Sequence, residues 1–420
     1  MTIFLFIILL IVGIGLIIHY MRQDNGAFMS PCLVTLMTVF SICPQLFSLF
    51  VSRYVDQSIL PMYILTVLLS ILSFHYGFKF GMQRIDSVIV EDTFIKDIEV
   101  TKNKGLILAC TLCGIFALLV YKGLFVGLDF VVGGFFQSMG VLALLLSIVA
   151  IRELDWKKAK LYLIPLLVNF WCVYDYAVNV KGSRTRIFYM LVWAGMFLTS
   201  VYPLKKKIIN KAFISVFIIG SVMSFSIGDY RTQIYTGKDV NAFSIENVID
   251  NYEKMLSGSN KLGVNGNDLY NGARYVNHCW ENFEYNYGTS IWNGAVFYYV
   301  PSRFVGKEIK ESLMIKLENR DYIKKLTNSV TTTTGFADAF AIFNFFGCFF
   351  FFIVGAFQGK WWHLSKYSQF YFVLYSYSIM YIAQMISHGI VYYTSPMLMW
   401  LILLYPLIKN SVEWKKISID

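Results

Sequence analysis

The most prominent pattern in the chain is a series of long apolar runs separated by polar connections. A helix needs about 20 mostly apolar residues to cross the hydrocarbon core of a bilayer. Eleven runs approach that length and predict an all-α polytopic membrane protein. Because some runs are short, the number of spans is expected to lie between ten and fourteen. The eleven runs cover residues 2–20, 32–50, 60–80, 105–121, 137–151, 161–178, 187–202, 212–227, 335–357, 368–386 and 391–408.

The polar connections differ in basic residues. Alternate connections and the C-terminal tail, together with Lys79 at the adjoining end of the third span, carry nineteen Lys and Arg residues, whereas the short connections on the other side carry five. Because basic residues accumulate in cytoplasmic loops, the basic side is predicted to be cytoplasmic. An odd number of spans then puts the N-terminus outside and the C-terminus inside. The N-terminal run lacks a basic leading region and a small-residue cleavage site, so we expect a retained first helix.

One connection is much longer than the others. Residues 228–334 are polar, with twelve basic and twelve acidic residues, and they contain Trp280, Trp292 and many tyrosines. Balanced charge and abundant aromatic residues indicate a folded, helical external loop rather than a disordered one. The chain is therefore predicted to consist of eight spans (1–227), this large external loop (228–334), and three spans with a cytoplasmic tail (335–420).

Composition agrees with a membrane protein and narrows the function. The chain is 57% hydrophobic and 15% charged, and its net charge of +10 matches a cytoplasmic excess of basic residues. No basic soluble domain is visible, which disfavours nucleic-acid binding. The seven cysteines lie mostly in apolar runs, and the five histidines have no metal-ligand spacing. We therefore expect neither a metal site nor a cofactor.

Several arginines fall on the predicted external side, where orientation does not explain them. Arg184 and Arg186 lie two apart, so in an extended loop they point the same way and could share one anion. Guanidinium groups bind phosphate through paired hydrogen bonds. Arg231 follows the eighth span, Arg274 lies within the long loop, and Arg303 follows Pro301. These five arginines are the candidate diphosphate-binding residues, although lipid-headgroup contacts or salt bridges would explain each one alone.

Three ionisable residues are predicted at the external ends of spans. They are Asp175 in the sixth span, Asp338 at the start of the ninth and His388 at the end of the tenth. Ionisable groups at membrane depth are costly and usually functional, so all three are candidate catalytic residues. Each also has an ordinary alternative. Asp338 could be a helix-terminal charge, His388 a helix-end hydrogen bonder, and Asp175 the partner of an arginine.

Cations beside an acid or base suit glycosyl transfer from a lipid diphosphate. The leaving diphosphate needs positive charge, and the acceptor hydroxyl needs a group that takes its proton. Tyrosine and tryptophan rings of the external loop would hold the glycan by stacking.

Short motifs at these residues resemble those of the O-antigen polymerases, the Wzy-type polymerases of oligosaccharide repeat units. The motifs are Gly182-Ser183-Arg184 before a hydrophobic helix, Arg231 before the large loop, Pro301 with Arg303 late in it, and Ala337-Asp338-Ala339-Phe340 followed by Asn344-Phe345-Phe346-Gly347. The resemblance implies a GT-C-like, metal-independent glycosyltransferase of the bacterial inner membrane. Its substrates would be glycans linked to undecaprenyl diphosphate, and its pathway partners a flippase and a chain-length regulator.

Other functions are compatible with the same layout. An O-antigen ligase uses the same donor and also has one large periplasmic loop. A lipid-linked oligosaccharide flippase or transporter would more often show internal repeats and short loops on both sides, and neither is seen here. A transferase that uses a polyprenyl-monophosphate sugar usually has an acidic pair in its first external loop, where this chain has only Asp56.

Overall fold

A computed structural model describes residues 1–86, 94–125, 130–176, 193, 195, 206–223, 244–257, 268–300, 302–316 and 333–416. The helices in the N-terminal half are α1 (Thr2–Met21), α2 (Ser30–Met37), α3 (Cys43–Val51), α4 (Leu60–Asp86), α5 (Lys104–Tyr121), α6 (Phe130–Glu153), α7 (Trp156–Ala159), α8 (Leu163–Asp175) and α9 (Lys206–Met223). The long loop contributes α10 (Ile245–Ser257), α11 (Asp268–Asn282), α12 (Thr289–Tyr299), α13 (Ser302–Val305) and α14 (Lys307–Ser312). The chain continues with α15 (Gly335–Phe343), α16 (Phe349–Leu364), α17 (Gln369–His388), α18 (Val391–Met399) and α19 (Tyr405–Ile408).

Within these ranges, eight helical stretches are long and apolar enough to cross a membrane. They are Thr2–Met21, Ser30–Val51, Gln57–Gln83, Lys104–Tyr121, Gly133–Glu153, Gly335–Leu364, Gln369–His388 and Val391–Ser411. All eight coincide with predicted spans, because each apolar run is continuous and free of central charge. The prediction of a helical membrane protein is therefore confirmed.

The other three predicted spans are not among these eight stretches. The sixth corresponds to α8, which has 13 residues. The eighth corresponds to α9, whose apolar part is the shorter stretch Asn210–Ser221. The seventh, residues 187–202, lies outside the described ranges apart from Trp193 and Gly195. The total of eleven spans therefore stays a prediction.

Two of the long stretches contain a wider, π-helical turn. Thr38–Ile42 joins α2 to α3, and Trp400–Leu404 joins α18 to α19. In each case a proline, Pro44 or Pro406, follows two residues after the π turn. Proline has no N–H for the carbonyl four residues earlier, and the wider turn accommodates that missing bond without ending the helix.

A small sheet closes one end of the helix bundle, and the all-α prediction missed it. Strand β1 (Phe94–Ile98) pairs antiparallel with β2 (Val412–Lys416). The connection between α16 and α17 docks beside the sheet, where the Gln369 amide donates to Asp97 Oδ1 at 2.7 Å. The regions that meet here are connections predicted to be basic and cytoplasmic. We call this the basic end of the bundle.

The opposite end is covered by helices of the long loop, and we call it the loop end. Helix α10 packs on α3, α11 packs on α4 and α15, and α12 packs on α18. The described parts of the loop are helical, and they lie directly on the ends of the apolar helices.

Helices α4 and α16 pack with their backbones in close contact. A Cβ added at Gly77 or Gly81 would lie about 2 Å from a carbonyl oxygen of α16, at 2.1 Å from Phe352 and 2.0 Å from Ala356. Gly355 and Gly359 stand in the same relation to Phe74 and Phe78 of α4. Two GxxxG segments thus bring two backbones into contact, as is common where helices associate within lipid.

Candidate functional site

Asp338 lies at the loop end, in the first turn of α15. Thr334 caps that helix, and its hydroxyl accepts from the Ala337 amide. The Asp338 carboxylate does not cap its own helix. Its Oδ1 accepts from the Thr333 hydroxyl at 2.9 Å, and its Oδ2 accepts from the Ile390 amide at 3.1 Å. The acid is therefore held by two donors and remains only partly buried.

The turn that supplies the Ile390 amide is shaped around this carboxylate. Helix α17 ends at His388, and Gly389 follows with φ of 127°. A Cβ at Gly389 would lie 2.4 Å from Asp338 Oδ2, so only glycine allows this approach. His388 Nδ1 lies 2.6 Å from the Ser387 hydroxyl, and its ring centroid is 5.4 Å from that of Tyr392. Asp338 and His388 therefore lie at the same end of the bundle, because Asp338 bonds to the turn that follows His388; that this end is external stays a prediction.

Helix α11 covers the acid from the long loop. The Tyr63 hydroxyl lies 2.8 Å from Thr334 Oγ1. A Cβ at Gly272 would meet both side chains, at 3.1 Å from Tyr63 and 3.2 Å from Thr334. Small size at this position therefore seats α11 on the start of α15. Asp268, at the start of α11, lies close enough to Tyr392 to interact with it electrostatically, as does Asp338.

An open cleft of about 170 Å³ lies next to this acid. Its walls come from the loop-end parts of α5, α6, α8, α12, α17 and α18. Tyr392 lines the cleft and comes two residues after Ile390, whose amide donates to Asp338, so the acid and the cleft lie close together. Other residues that line the cleft include Tyr121, Gln137, Trp193, Tyr299, Tyr381, Gln384 and Ser395.

Helix α12 forms one wall of the cleft and is firmly seated. Gly294 packs against Val391 so closely that a Cβ there would lie 2.4 Å from Val391 Cγ1. The Tyr299 hydroxyl donates to the Ser395 carbonyl. Burial raises the pKa of the Tyr299 phenol well above its usual range, and neighbouring Tyr381 adds to the effect. Tyr299 is therefore a neutral donor, and it ties α12 to α18.

Asp175 lies near the cleft without being one of its lining residues, and it is paired with a lysine. Its Oδ2 is 2.6 Å from Lys122 Nζ, and its side chain is 4% exposed against 44% for the lysine. Tyr121 and Val173, next to this pair in the chain, line the cleft. The sequence allowed an arginine partner for Asp175, and the partner found is Lys122. This ion pair gives Asp175 a structural explanation beside the catalytic one.

The predicted diphosphate-binding arginines are mostly beyond what the structure describes. Arg184, Arg186 and Arg231 lie outside the described ranges, and for Arg303 only the backbone of α13 is described. Arg274 is half-buried on α11, with its guanidinium 5.8 Å from the centroid of the Tyr270 ring. Their grouping around one anion stays a prediction.

The aromatic residues of the cleft were not singled out from the sequence. Stacking had been expected from the long loop, whose Trp280 and Trp292 are largely exposed. Much of the aromatic lining, including Tyr121, Tyr381 and Tyr392, belongs instead to the apolar helices. In those helices tyrosine also occurs as an ordinary interfacial residue, so composition alone carried no signal.

The chain was compared with protein-family models, with curated proteins and with solved structures. No family model, no curated protein and no solved structure matches this chain.

Proposed function

We propose that this protein is a membrane glycosyltransferase that polymerises oligosaccharide repeat units carried on undecaprenyl diphosphate. The proposal rests on the short sequence motifs described above and on one structural observation. An ionisable acid, Asp338, stands beside an aromatic cleft that opens at the loop end of a helical membrane protein. Such a cleft suits a glycan, and the acid suits activation of a hydroxyl.

The reaction needs one proton acceptor and positive charge for the leaving group. In the proposed step an acceptor hydroxyl gives its proton to the Asp338 carboxylate. The oxygen of the acceptor hydroxyl then forms a bond to the anomeric carbon of the donor, and the bond from that carbon to the diphosphate oxygen breaks. The diphosphate leaves with the electron pair. The residues that could stabilise the charge of the leaving diphosphate are Arg184, Arg186, Arg231, Arg274 and Arg303. His388 is an alternative proton acceptor.

The proposal includes an orientation. The basic end of the bundle would face the cytoplasm, with the C-terminal strand, and the loop end would face outward in a bacterial inner membrane. Asp338 and the cleft would then meet lipid-linked glycans that a flippase has already moved across the bilayer. A chain-length regulator would be the second pathway partner.

The purified full-length protein tests this function directly. Incubated with the lipid-linked repeat unit of its own organism, it should produce a ladder of lengthened glycans and release undecaprenyl diphosphate. The Asp338→Asn variant keeps the size of the side chain and one acceptor oxygen but loses the basicity, so chain growth should fall about 10²-fold or more. Asp56→Asn, at an exposed acid of the same end, serves as the control.

The acceptor separates the two closest functions. Transfer to a second lipid-linked repeat unit supports the polymerase. Transfer to a lipid A core alone would instead identify a ligase, and movement of the lipid without any new glycosidic bond would identify a transporter. Unchanged chain growth in Asp338→Asn would remove Asp338 from the mechanism.

A further inference from the structure

Two polar side chains in the cleft have no hydrogen-bond partner among the residues that the structure describes. The Ser395 hydroxyl is buried and makes no hydrogen bond to any described residue. The half-buried Gln384 amide has no hydrogen-bond partner within the described ranges. Both residues line the cleft. Because buried polar groups in proteins are nearly always paired, the Ser395 hydroxyl indicates that a polar ligand binds here, and the half-buried Gln384 amide can bond to the same ligand.

The remaining lining defines what kind of polar ligand fits. Rings of Tyr121, Trp193, Tyr381 and Tyr392 face the cleft, and Gln137 adds a second amide. The described lining contains no charged side chain. A sugar ring combines apolar faces, which stack on aromatic rings, with hydroxyl groups, which bond to amides and hydroxyls. The uncharged walls match a neutral sugar.

Other occupants fit the cleft less well. A polyprenyl chain would cover the aromatic rings but would leave the Ser395 hydroxyl and the Gln384 amide without partners, which is unfavourable. A phosphate or a carboxylate would need a cation or several converging donors, and the described walls offer no cation. A neutral sugar ring can stack on the aromatic side chains and form hydrogen bonds with the polar groups.

We propose that the cleft is the subsite for one uncharged sugar ring of the acceptor glycan, with Gln384 and Ser395 as its hydrogen-bonding residues and Tyr392 as a stacking surface. This inference rests on the proposed function and adds a substrate class to it. The volume of about 170 Å³ suits a single ring. Tyr392 comes two residues after Ile390, whose amide donates to Asp338, so a sugar ring stacked on Tyr392 is near the carboxylate that would take the proton of the sugar hydroxyl.

Binding to the purified full-length protein in detergent tests the subsite without any turnover. The probes are the methyl glycosides of glucose, galactose and N-acetylglucosamine, with methyl glucuronide as the charged comparison. Saturation-transfer difference NMR should detect at least one neutral glycoside and a much weaker glucuronide signal. Gln384→Leu and Ser395→Ala should each weaken the binding of that glycoside by roughly two- to tenfold, the loss of one hydrogen bond.

A matched control separates the cleft from general effects on the protein. Gln369 lies at the other end of the same helix, at the basic end, and Gln369→Leu should leave sugar binding unchanged. Ser395→Ala removes a hydroxyl that has no hydrogen-bond partner among the described residues, so thermal unfolding of the variant should match that of the parent, and lost binding cannot then be assigned to misfolding. Undecaprenol added in excess should not displace the glycoside.

Three results would overturn the inference. They are no saturation transfer from any neutral glycoside, equal transfer from the glucuronide, and sugar binding that neither cleft variant changes. Displacement by undecaprenol would reassign the cleft to the lipid. The proposed function can fail independently of the subsite. If the protein binds neutral sugars through Gln384 but never lengthens a lipid-linked glycan, the subsite is supported and the polymerase function is not.

Discussion

Asp338 and Ile390 are 52 positions apart in the chain, yet Oδ2 of the acid accepts the amide hydrogen of Ile390 at 3.1 Å. This bond joins the start of α15 to the turn between α17 and α18. The carboxylate is therefore positioned by a backbone amide, whose direction depends on the conformation of Gly389. A change in that turn should move the acid without touching it chemically.

The first prediction concerns this turn. Gly389→Ala introduces a Cβ 2.4 Å from Asp338 Oδ2, at a φ of 127° that L-residues rarely adopt. We expect glycan lengthening to fall at least tenfold and the free energy of unfolding to fall by about 1–3 kcal/mol. Glycan ladders on gels, scaled to protein abundance, and thermal unfolding in detergent measure the two effects.

Gly306 provides a control for backbone strain alone. It has a φ of 88°, and a Cβ there would meet nothing within 4 Å. Gly306→Ala should therefore lose stability in a similar way and retain most activity. Equal loss of activity in the two variants would mean that strain, and not displacement of Asp338, explains the effect at Gly389.

The second prediction separates a structural from a catalytic role for Asp175. Lys122→Met leaves a buried carboxylate without its ion-pair partner, whereas Lys122→Met combined with Asp175→Asn removes both charges. Breaking a buried pair from one side is usually worse than removing the pair. Because Lys122 is nearly half exposed, we expect the double variant to be more stable than Lys122→Met by only about 1 kcal/mol.

Activity of the same variants completes the test. A structural Asp175 predicts that the double variant, once its abundance is taken into account, still lengthens glycans. If the double variant is stable and inactive while Lys122→Met is active, Asp175 belongs to the catalytic residues, as the sequence allowed.

Local pattern was sufficient for most of the helices and insufficient for the contacts between them. Each apolar run carries its own signal, and this is why eight predicted spans agree with described helices. The sheet at the basic end was missed because Lys96 pairs with Trp414, more than three hundred residues later. The five residues of β1 do not alternate between apolar and polar, so their local pattern gave no strand signal.

In the candidate site, too, local pattern predicted where residues lie along the helices but not which residues contact each other. Alternation of the spans was enough to put Asp338 and His388 at the same end of the bundle. The bond from Ile390 to Asp338 depends on how three helices are packed, and no local pattern encodes it. Gln384 and Ser395 look like ordinary polar residues in apolar helices, and only the cleft distinguishes them. The glycine spacing of α4 and α16, in contrast, could have been recognised in the sequence.

The third prediction uses this glycine contact. Gly355→Ala puts a methyl group 2.3 Å from the Phe74 carbonyl oxygen, so the two helices must move apart. We expect a loss of about 1–3 kcal/mol of stability, measured by thermal unfolding in detergent. Gly15→Ala, where a Cβ meets nothing within 4 Å, should be neutral or slightly stabilising because alanine favours the helix. Equal stability of the two variants would contradict close backbone packing of α4 and α16.

The last prediction concerns orientation, on which the proposed function depends. Phe283 at the loop end and Trp414 at the basic end are 75% and 67% exposed, so either position tolerates a cysteine and presents it to solvent. Six of the seven native cysteines are buried and Cys113 is half-buried, so background labelling should be low. In intact spheroplasts a membrane-impermeant thiol reagent should label Phe283→Cys and leave Trp414→Cys unlabelled. After the membrane is opened, both should react. The reverse pattern would put Asp338 and the cleft on the cytoplasmic side, where a polymerase would meet its lipid-linked substrates before they cross the bilayer, and the proposed function would then have to be abandoned.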